Sequence, residues 1–308
     1  MSQFLAKRFL QALFVLLAVA LIVFWAIRLS GDPTLLMLGD SAGSISDEEL
    51  AALRASLGVD QPFWVQFGHY ILALFQGDMG TSFFTKTPVM DMIAESLPDT
   101  LLLAVTALVI SVVISLPAGI YAAINKGRWP DQVLRVVSLL GLSFPNFWLA
   151  LIFVLIFSVT LGWLPASGNE GFASMILPTV TLGLILATTN IRLVRTTMLD
   201  TLSAQYIIVA RGKGLKERVV LYKHALRNCA IPLVTYLGLQ FGNLMGGVVI
   251  IEQVFARPGM GSLAFDAIAQ RDFPVLQGTV IALALIVILV NLTVDILYGV
   301  LDPRIREA

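Results

Sequence analysis

Ala210-Arg211-Gly212-Lys213-Gly214-Leu215-Lys216 sets glycines among basic side chains, the residue types from which phosphate-binding loops are made. The spacing decides against that chemistry. A P-loop needs four residues between its glycines and Lys-Ser/Thr after the second, and Gly212-Lys213-Gly214 does not fit. No H-E-x-x-H, no G-x-S-x-G and no paired-cysteine motif occurs, so no catalytic residue is assigned. His69, His224 and the single Cys229 are too few for a metal site or an internal disulfide. Tyr236, Gln240 and Asn243 share one helical face, suited either to a water-accessible path or to interhelical hydrogen bonds. Gly238, Gly242 and Gly246 form a small-residue stripe on the other face, where helix backbones can approach closely. Asp295 is an intramembrane acid two turns before Asp302, suited to a structural hydrogen bond or an ion pair near the inner interface, with Arg192 and Arg195 as candidate partners. No second buried carboxylate is evident for a proton relay.

These groups sit in a chain of 308 residues that is 57% hydrophobic and only 13% charged, against about a quarter charged in soluble domains. Net charge is zero, which leaves no basic field for a nucleic-acid partner. Six apolar stretches approach the roughly 20 residues that a helix needs to cross a bilayer. They are 9–28, 98–124, 133–161, 176–198, 229–251 and 278–300, read as helices because they lack period-two alternation. The first is too long for a signal-peptide core and no A-x-A site follows it, so it reads as a retained span. Pro117, Pro145 and Pro178 can kink or begin spans.

Orientation follows from the basic residues. With the N-terminus inside, only Arg28, Arg54, Lys86, Arg257 and Arg271 of the 20 Lys and Arg fall outside. That asymmetry predicts N-in, C-in topology. The expected fold is therefore an all-α integral membrane bundle of six helices, one domain over 1–308.

Two connections are long enough to fold. In the outer loop, 30–97, Ser46 and Glu49 form a capping box, and Gly58 sits at the stop. Beyond Pro62, the apolar stripe of Phe63, Phe67, Tyr70, Ile71 and Leu74 suits a helix at the membrane interface, packed on the bundle or offered to an external partner. The cytoplasmic loop, 199–228, is dense in basic residues. It is expected to be helical from Ala204 to Arg218 with interruptions at Gly212 and Gly214, then again from Val219. Orientation alone needs fewer charges, so a protein-docking element is expected there. A path without its own engine would need one.

The order and spacing of several motifs resemble the first type of permease subunit from bacterial ATP-binding-cassette importers of the dipeptide/oligopeptide/nickel group. Along nearly the whole chain come Leu57-Gly58-Val59-Asp60-Gln61-Pro62, Gly77-Asp78-Met79-Gly80-Thr81-Ser82-Phe83, Arg128-Trp129-Pro130-Asp131, Ser143-Phe144-Pro145 and Gly162-Trp163-Leu164-Pro165. Ile176-Leu177-Pro178, Tyr206 to Thr235, and Asn291 to Asp295 with Asp302 to Arg306 complete the set.

The resemblance implies a bacterial inner-membrane, multi-pass permease that is not itself an enzyme, with type I importer architecture and alternating access. It implies that residues 210–216 lie in a coupling loop docked on an ATPase, with Ala210 and Gly214 matching that loop's pattern and Ile208 standing where its Glu is usual. Arg211, Lys213 and Lys216 are then candidates for basic contacts. The implied partners are a second homologous permease subunit, one or two cytoplasmic ATP-binding subunits, a periplasmic substrate-binding protein and membrane lipid. This chain would bind no cofactor, ATP and Mg residing on the ATPase subunits. Implied cargo is a dipeptide, oligopeptide or glutathione-like peptide, with metal chelates or opines as alternatives. A stand-alone secondary carrier or channel is the competing class, though no internal repeat supports it.

Overall fold

A computed structural model describes residues 2–29, 34, 45–56 and 58–301. Among the described residues the regular structure is helical, and the one β pairing is an isolated antiparallel bridge between Thr81 and Pro88. Helices α1 (Ser2–Leu29), α2 (Asp47–Ser56), α3 (Phe63–Phe75) and α4 (Val89–Ile124) lead to α5 (Trp129–Ser143) and α6 (Asn146–Phe153), the last extended by a π segment over Val154–Thr160. Then come α7 (Ala173–Leu202), α8 (Gln205–Gly212), α9 (Leu226–Val254), α10 (Met260–Gln270) and α11 (Phe273–Leu301). A helical turn Glu217–Val219 and a π segment Val220–Ala225 feed α9 without a gap.

Four helices are long and apolar enough to cross a membrane: α1, α4, α7 and α11. Two further crossings are possible only if bent pairs count as one span each. The stretch expected as one span over 133–161 is broken between α5 and α6 by a turn of 102°. The cause is local: Phe144 adopts an extended conformation before Pro145, whose ring disfavours a helical residue ahead of it. α9 bends by 54° between Pro232–Gly242 and Leu244–Val254, inside the glycine-rich stretch.

The chain divides into two compact units, residues 1–98 with 259–289 and residues 99–258 with 290–308. In the first, the Ser46–Glu49 capping box closes α2 reciprocally, with Ser46 N–H donating to Glu49 Oε2 at 3.1 Å and Glu49 N–H to Ser46 Oγ at 3.3 Å. The Asp78–Pro88 turn is anchored on Asp272, whose carboxylate accepts Ser82 Oγ–H at 2.5 Å and Phe83 N–H at 3.2 Å. Beneath it Val89, Ile93, Met260, Ala267, Val275 and Ala282 form an apolar core.

In the second unit α4 and α7 run in the same direction. Ala107 and Ile110 face Gly183, Ser111 bonds Asn190, and Gly119 meets Ile191 and Val194. A Cβ on Gly183 would lie 2.7 Å from Ile110 Cγ2, so only glycine allows this approach. α9 runs oppositely, with Cys229 beside Val194, Gly247 beside Leu182 and Glu252 bonded to Thr100.

Asp131 pins the cytoplasm-facing end expected for α5 to α7. It is fully buried at the third position of α5 and uses both carboxylate oxygens. Oδ1 accepts Arg195 Nε–H at 2.5 Å, while Oδ2 accepts Arg195 Nη2–H and Gly127 N–H, each at 2.9 Å. Arg195, a candidate partner of Asp295, is therefore bound to Asp131 instead. The Asp295 side chain lies outside the described residues. Asp131, Glu252 and Asp272 are all buried, so the expectation that no second carboxylate lies inside the protein is corrected. Each of the three has a hydrogen-bonding partner that makes its burial tolerable.

Candidate functional site

The segment between α7 and α9 carries most of the residues singled out by sequence. α7 ends at Leu202, where Ser203 caps it and Ala204 turns extended before α8 begins. α8 ends in a Schellman motif built on glycine. Gly214 takes the left-handed conformation, φ 74°, its N–H donates to Arg211 O at 2.9 Å, and Leu215 N–H reaches back to Ala210 O at 3.4 Å. Nothing lies within 4 Å of a Cβ built on Gly214, so this glycine is required by backbone conformation and not by space. The strain of a β-branched residue there is about 1–2 kcal/mol. Gly214→Val is therefore expected to fray the end of α8, read as faster amide exchange over 212–216, whereas Gly214→Asn should exchange nearly as the parent does. Equal exchange in Gly214→Val would refute the role of the turn.

Across this turn Arg211 and Glu217 form a two-point ion pair, Nε to Oε2 at 3.1 Å and Nη2 to Oε1 at 2.6 Å. The guanidinium holds the Glu217 carboxyl below the usual carboxylate range, and Glu217 raises Arg211, so the pair stays ionised at neutral pH. Both side chains are about half exposed, and such a pair contributes at most about 1 kcal/mol. Arg211, expected as an outward basic contact, is thus engaged within the loop. Lys213 and Lys216 remain exposed beside it.

α8 has two distinct faces. Ile207 and Ala210 are buried in a cluster with Ile120 and Ala123 from the end of α4 and Val194 and Met198 from α7. Val220, Ala225, Cys229 and Leu233 complete it. The helical repeat then turns Gln205, Ile208, Val209 and Gly212 outward. Ile208 is 60% and Val209 51% exposed, and no atom lies within 4 Å of a Cβ built on Gly212. The presented surface is consequently apolar and flat at its centre, rimmed by Lys213, Leu215 and Lys216. Ile208 and Val209 were not among the residues assigned from sequence to this segment's contacts. Helical periodicity separates them from Ile207 and Ala210 but does not say which face is buried.

The residues expected along a path lie on α9, around its bend. Gln240 is buried, and its Oε1 has no hydrogen-bond partner among the described residues. An orphaned acceptor of this kind costs roughly 1–3 kcal/mol, which any donor brought to it would offset. Tyr236 is half-buried. Asn243 falls at the bend itself, and its side chain lies outside the described residues. The glycine stripe is divided: Gly238 is packed so closely on α11 that an added Cβ would overlap Val294, whereas Gly246 faces open space. Gly242 is half-buried. Among the described residues, no group of three His, Cys, Asp or Glu could hold a metal ion.

The long apolar helices α1, α4, α7 and α11 define a class, the integral membrane proteins of several spans. The fold is shared with the inward-facing MetNI methionine ABC transporter, at TM-score 0.60 and 18% identity over 69% of this chain and 97% of that one. Residues 115–307 match the family described as the binding-protein-dependent transport system inner membrane component, and residues 1–104 match the N-terminal part of that system's membrane component. The chain belongs to this family: it is an integral membrane permease of a binding-protein-dependent transport system. It is 43% identical over 307 residues to the glutathione transport system permease protein GsiC of Salmonella choleraesuis, and 41% identical to that of Escherichia coli K12. Each alignment covers 99% of both chains.

Proposed function

We propose that this chain forms half of the translocation path of an ABC importer for small peptides of the glutathione kind, in a bacterial inner membrane. The observation that carries this reading is the exposed apolar face of α8, seated on the bundle through Ile207 and Ala210. Residues 210–216 frame that face, and an ATPase subunit fits it better than solvent does. The substrate class comes from the full-length similarity to glutathione permeases.

In this reading the chain crosses six times, N-in and C-in, with α5–α6 and the two halves of α9 each counted as one broken span. The shared direction of α4 and α7 and the reversed direction of α9 support that order. The 30–97 loop faces the substrate-binding protein outside. The 199–228 loop meets one of the ATP-binding subunits inside, where ATP and Mg are held. A second, homologous permease subunit completes the cavity. ATP-driven closure of the ATPases would move α8, and through its seat on α4 and α7 bias the bundle between its two faces. The chain itself performs no hydrolysis in this scheme.

The test is uptake by proteoliposomes containing the purified complex. Peptide uptake should require both ATP inside and the binding protein outside, and uptake by this chain alone without ATP would overturn the proposal. Gln240 offers the path a neutral acceptor. Gln240→Ala combined with Asn243→Ala is expected to reduce peptide uptake about tenfold, the equivalent of one lost hydrogen bond in the path. Unchanged uptake would remove both residues from it.

A further inference from the structure

We infer that α3 is an interfacial helix that starts beside the C-terminal end of α1 and keeps one face in lipid. The inference rests on the proposed reading that α1 crosses the bilayer.

α3 is 13 residues long and contains no charged side chain. At 1.5 Å per residue it spans about 20 Å, too short to cross the hydrocarbon core. Its placement along α1 is fixed by specific contacts. Phe24 lies between Phe63, Phe67 and Tyr70, with ring centroids 5.3–5.4 Å away. Arg28 donates to Gln66 Oε1 through Nε at 3.0 Å and Nη2 at 2.7 Å, and its guanidinium carbon stands 3.5 Å from the Phe24 ring centroid. Gln66 in turn donates to Val59 O and Gln61 O, which ties down the chain before α3. The first turns of α3 are held at the level of the last two turns of α1, and its last turn, through Ile71, Leu74 and Phe75, borders a pocket shared with Leu16, Leu17 and Ala20.

The opposite face is apolar and exposed. Trp64, Leu72 and Phe75 follow one another at helical spacing and are 68%, 59% and 74% exposed, with Val65 beside them. Only His69 and Gln76 add polarity at the edge. This surface is continuous with that of α1: Leu21, Ile22 and Trp25 join Phe63 and Trp64 in lining one apolar groove of about 400 Å³. Whatever covers Ile22 and Trp25 on α1 extends over Trp64. For a helix that crosses the bilayer, that cover is lipid. Tryptophans at 25 and 64, with an arginine head at 28, match the side chains that concentrate at the membrane–water boundary. An amphipathic helix there sinks about 5–10 Å into the headgroup–acyl boundary.

The experiment uses the complex in liposomes and tryptophan quenching by brominated phospholipid. The chain has five tryptophans, so four are replaced by Phe to leave Trp64 alone, and a second variant leaves Trp25 alone. Tryptophans of the other subunits are likewise replaced by Phe, so that the emission comes from this chain alone. Trp64 emission should be lost to bromine placed high on the acyl chain and less to bromine near its end. Quenching of Trp25 with no quenching of Trp64 overturns the inference while leaving α1 as a span. Failure to quench either one overturns the underlying reading of α1. Trp64 emission that responds only to added substrate-binding protein would assign the face to that protein and also overturn the lipid assignment.

Discussion

Asp131→Ala should destabilise the chain by about 3–5 kcal/mol, the cost of leaving one half of a buried ion pair without its partner. The carboxylate is fully buried and satisfies three donors, two on Arg195 and the Gly127 N–H. Its removal strands a guanidinium whose side chain is only 18% exposed. Arg135, 3.8 Å from the same carboxylate, carries the same charge as Arg195 and cannot neutralise it. Because Arg195 lies on α7 between Val194 and Met198, the loss reaches the seat of α8. The expected readout is a large fall in melting temperature and in folded yield of the detergent-purified chain. Arg195→Lys should be intermediate, since an ammonium cannot make the two parallel bonds. Asp131→Asn with Arg195→Gln should be better tolerated than Asp131→Asn alone, because no unpaired charge remains. An unchanged melting temperature in Asp131→Ala would show that the pair contributes nothing to stability.

The second large effect concerns assembly and not folding. Ile208→Lys and Gly212→Trp alter the outward face of α8 without touching Ile207 or Ala210. Each is expected to weaken association with the ATPase subunits by at least about thirtyfold, equivalent to 2 kcal/mol, as for a central apolar contact in an interface. Melting temperature should stay near that of the parent. Arg211→Ala should cost far less, because its guanidinium already serves Glu217 in a half-exposed pair. Neutralising Lys213 and Lys216 should lower association mildly and mostly at low salt. If Ile208→Lys assembles normally while the lysine variants do not, docking depends on charge and the apolar face has another purpose.

The helical class was legible because lipid leaves a chain few options: runs such as 9–28 and 98–124 must satisfy their backbones internally. Local turn chemistry was legible too, as at Ser46–Glu49 and the interruption at Gly214, since these signals are contiguous. The bend at Phe144-Pro145 was less so. A proline permits a kink, but its angle depends on what packs around it. The Asp131–Arg195 pair was missed because the partners are 64 positions apart. By depth alone, Arg192 and Arg195 suit Asp295 equally well. At the site, the glycine and lysine pattern located the segment. The contacts of α8 with α4 and α7 were needed to learn that its presented side is Ile208 and Val209.

Cys229 gives one of these arrangements a chemical consequence. It is the chain's single cysteine, fully buried in the cluster that α8 helps to close. A thiol reagent can reach it only when that cluster opens, so alkylation rate becomes a clock for the seating of α8. Oxidative damage to the thiol is likewise confined to moments when the helix lifts, which makes the chain's redox sensitivity a property of its motion.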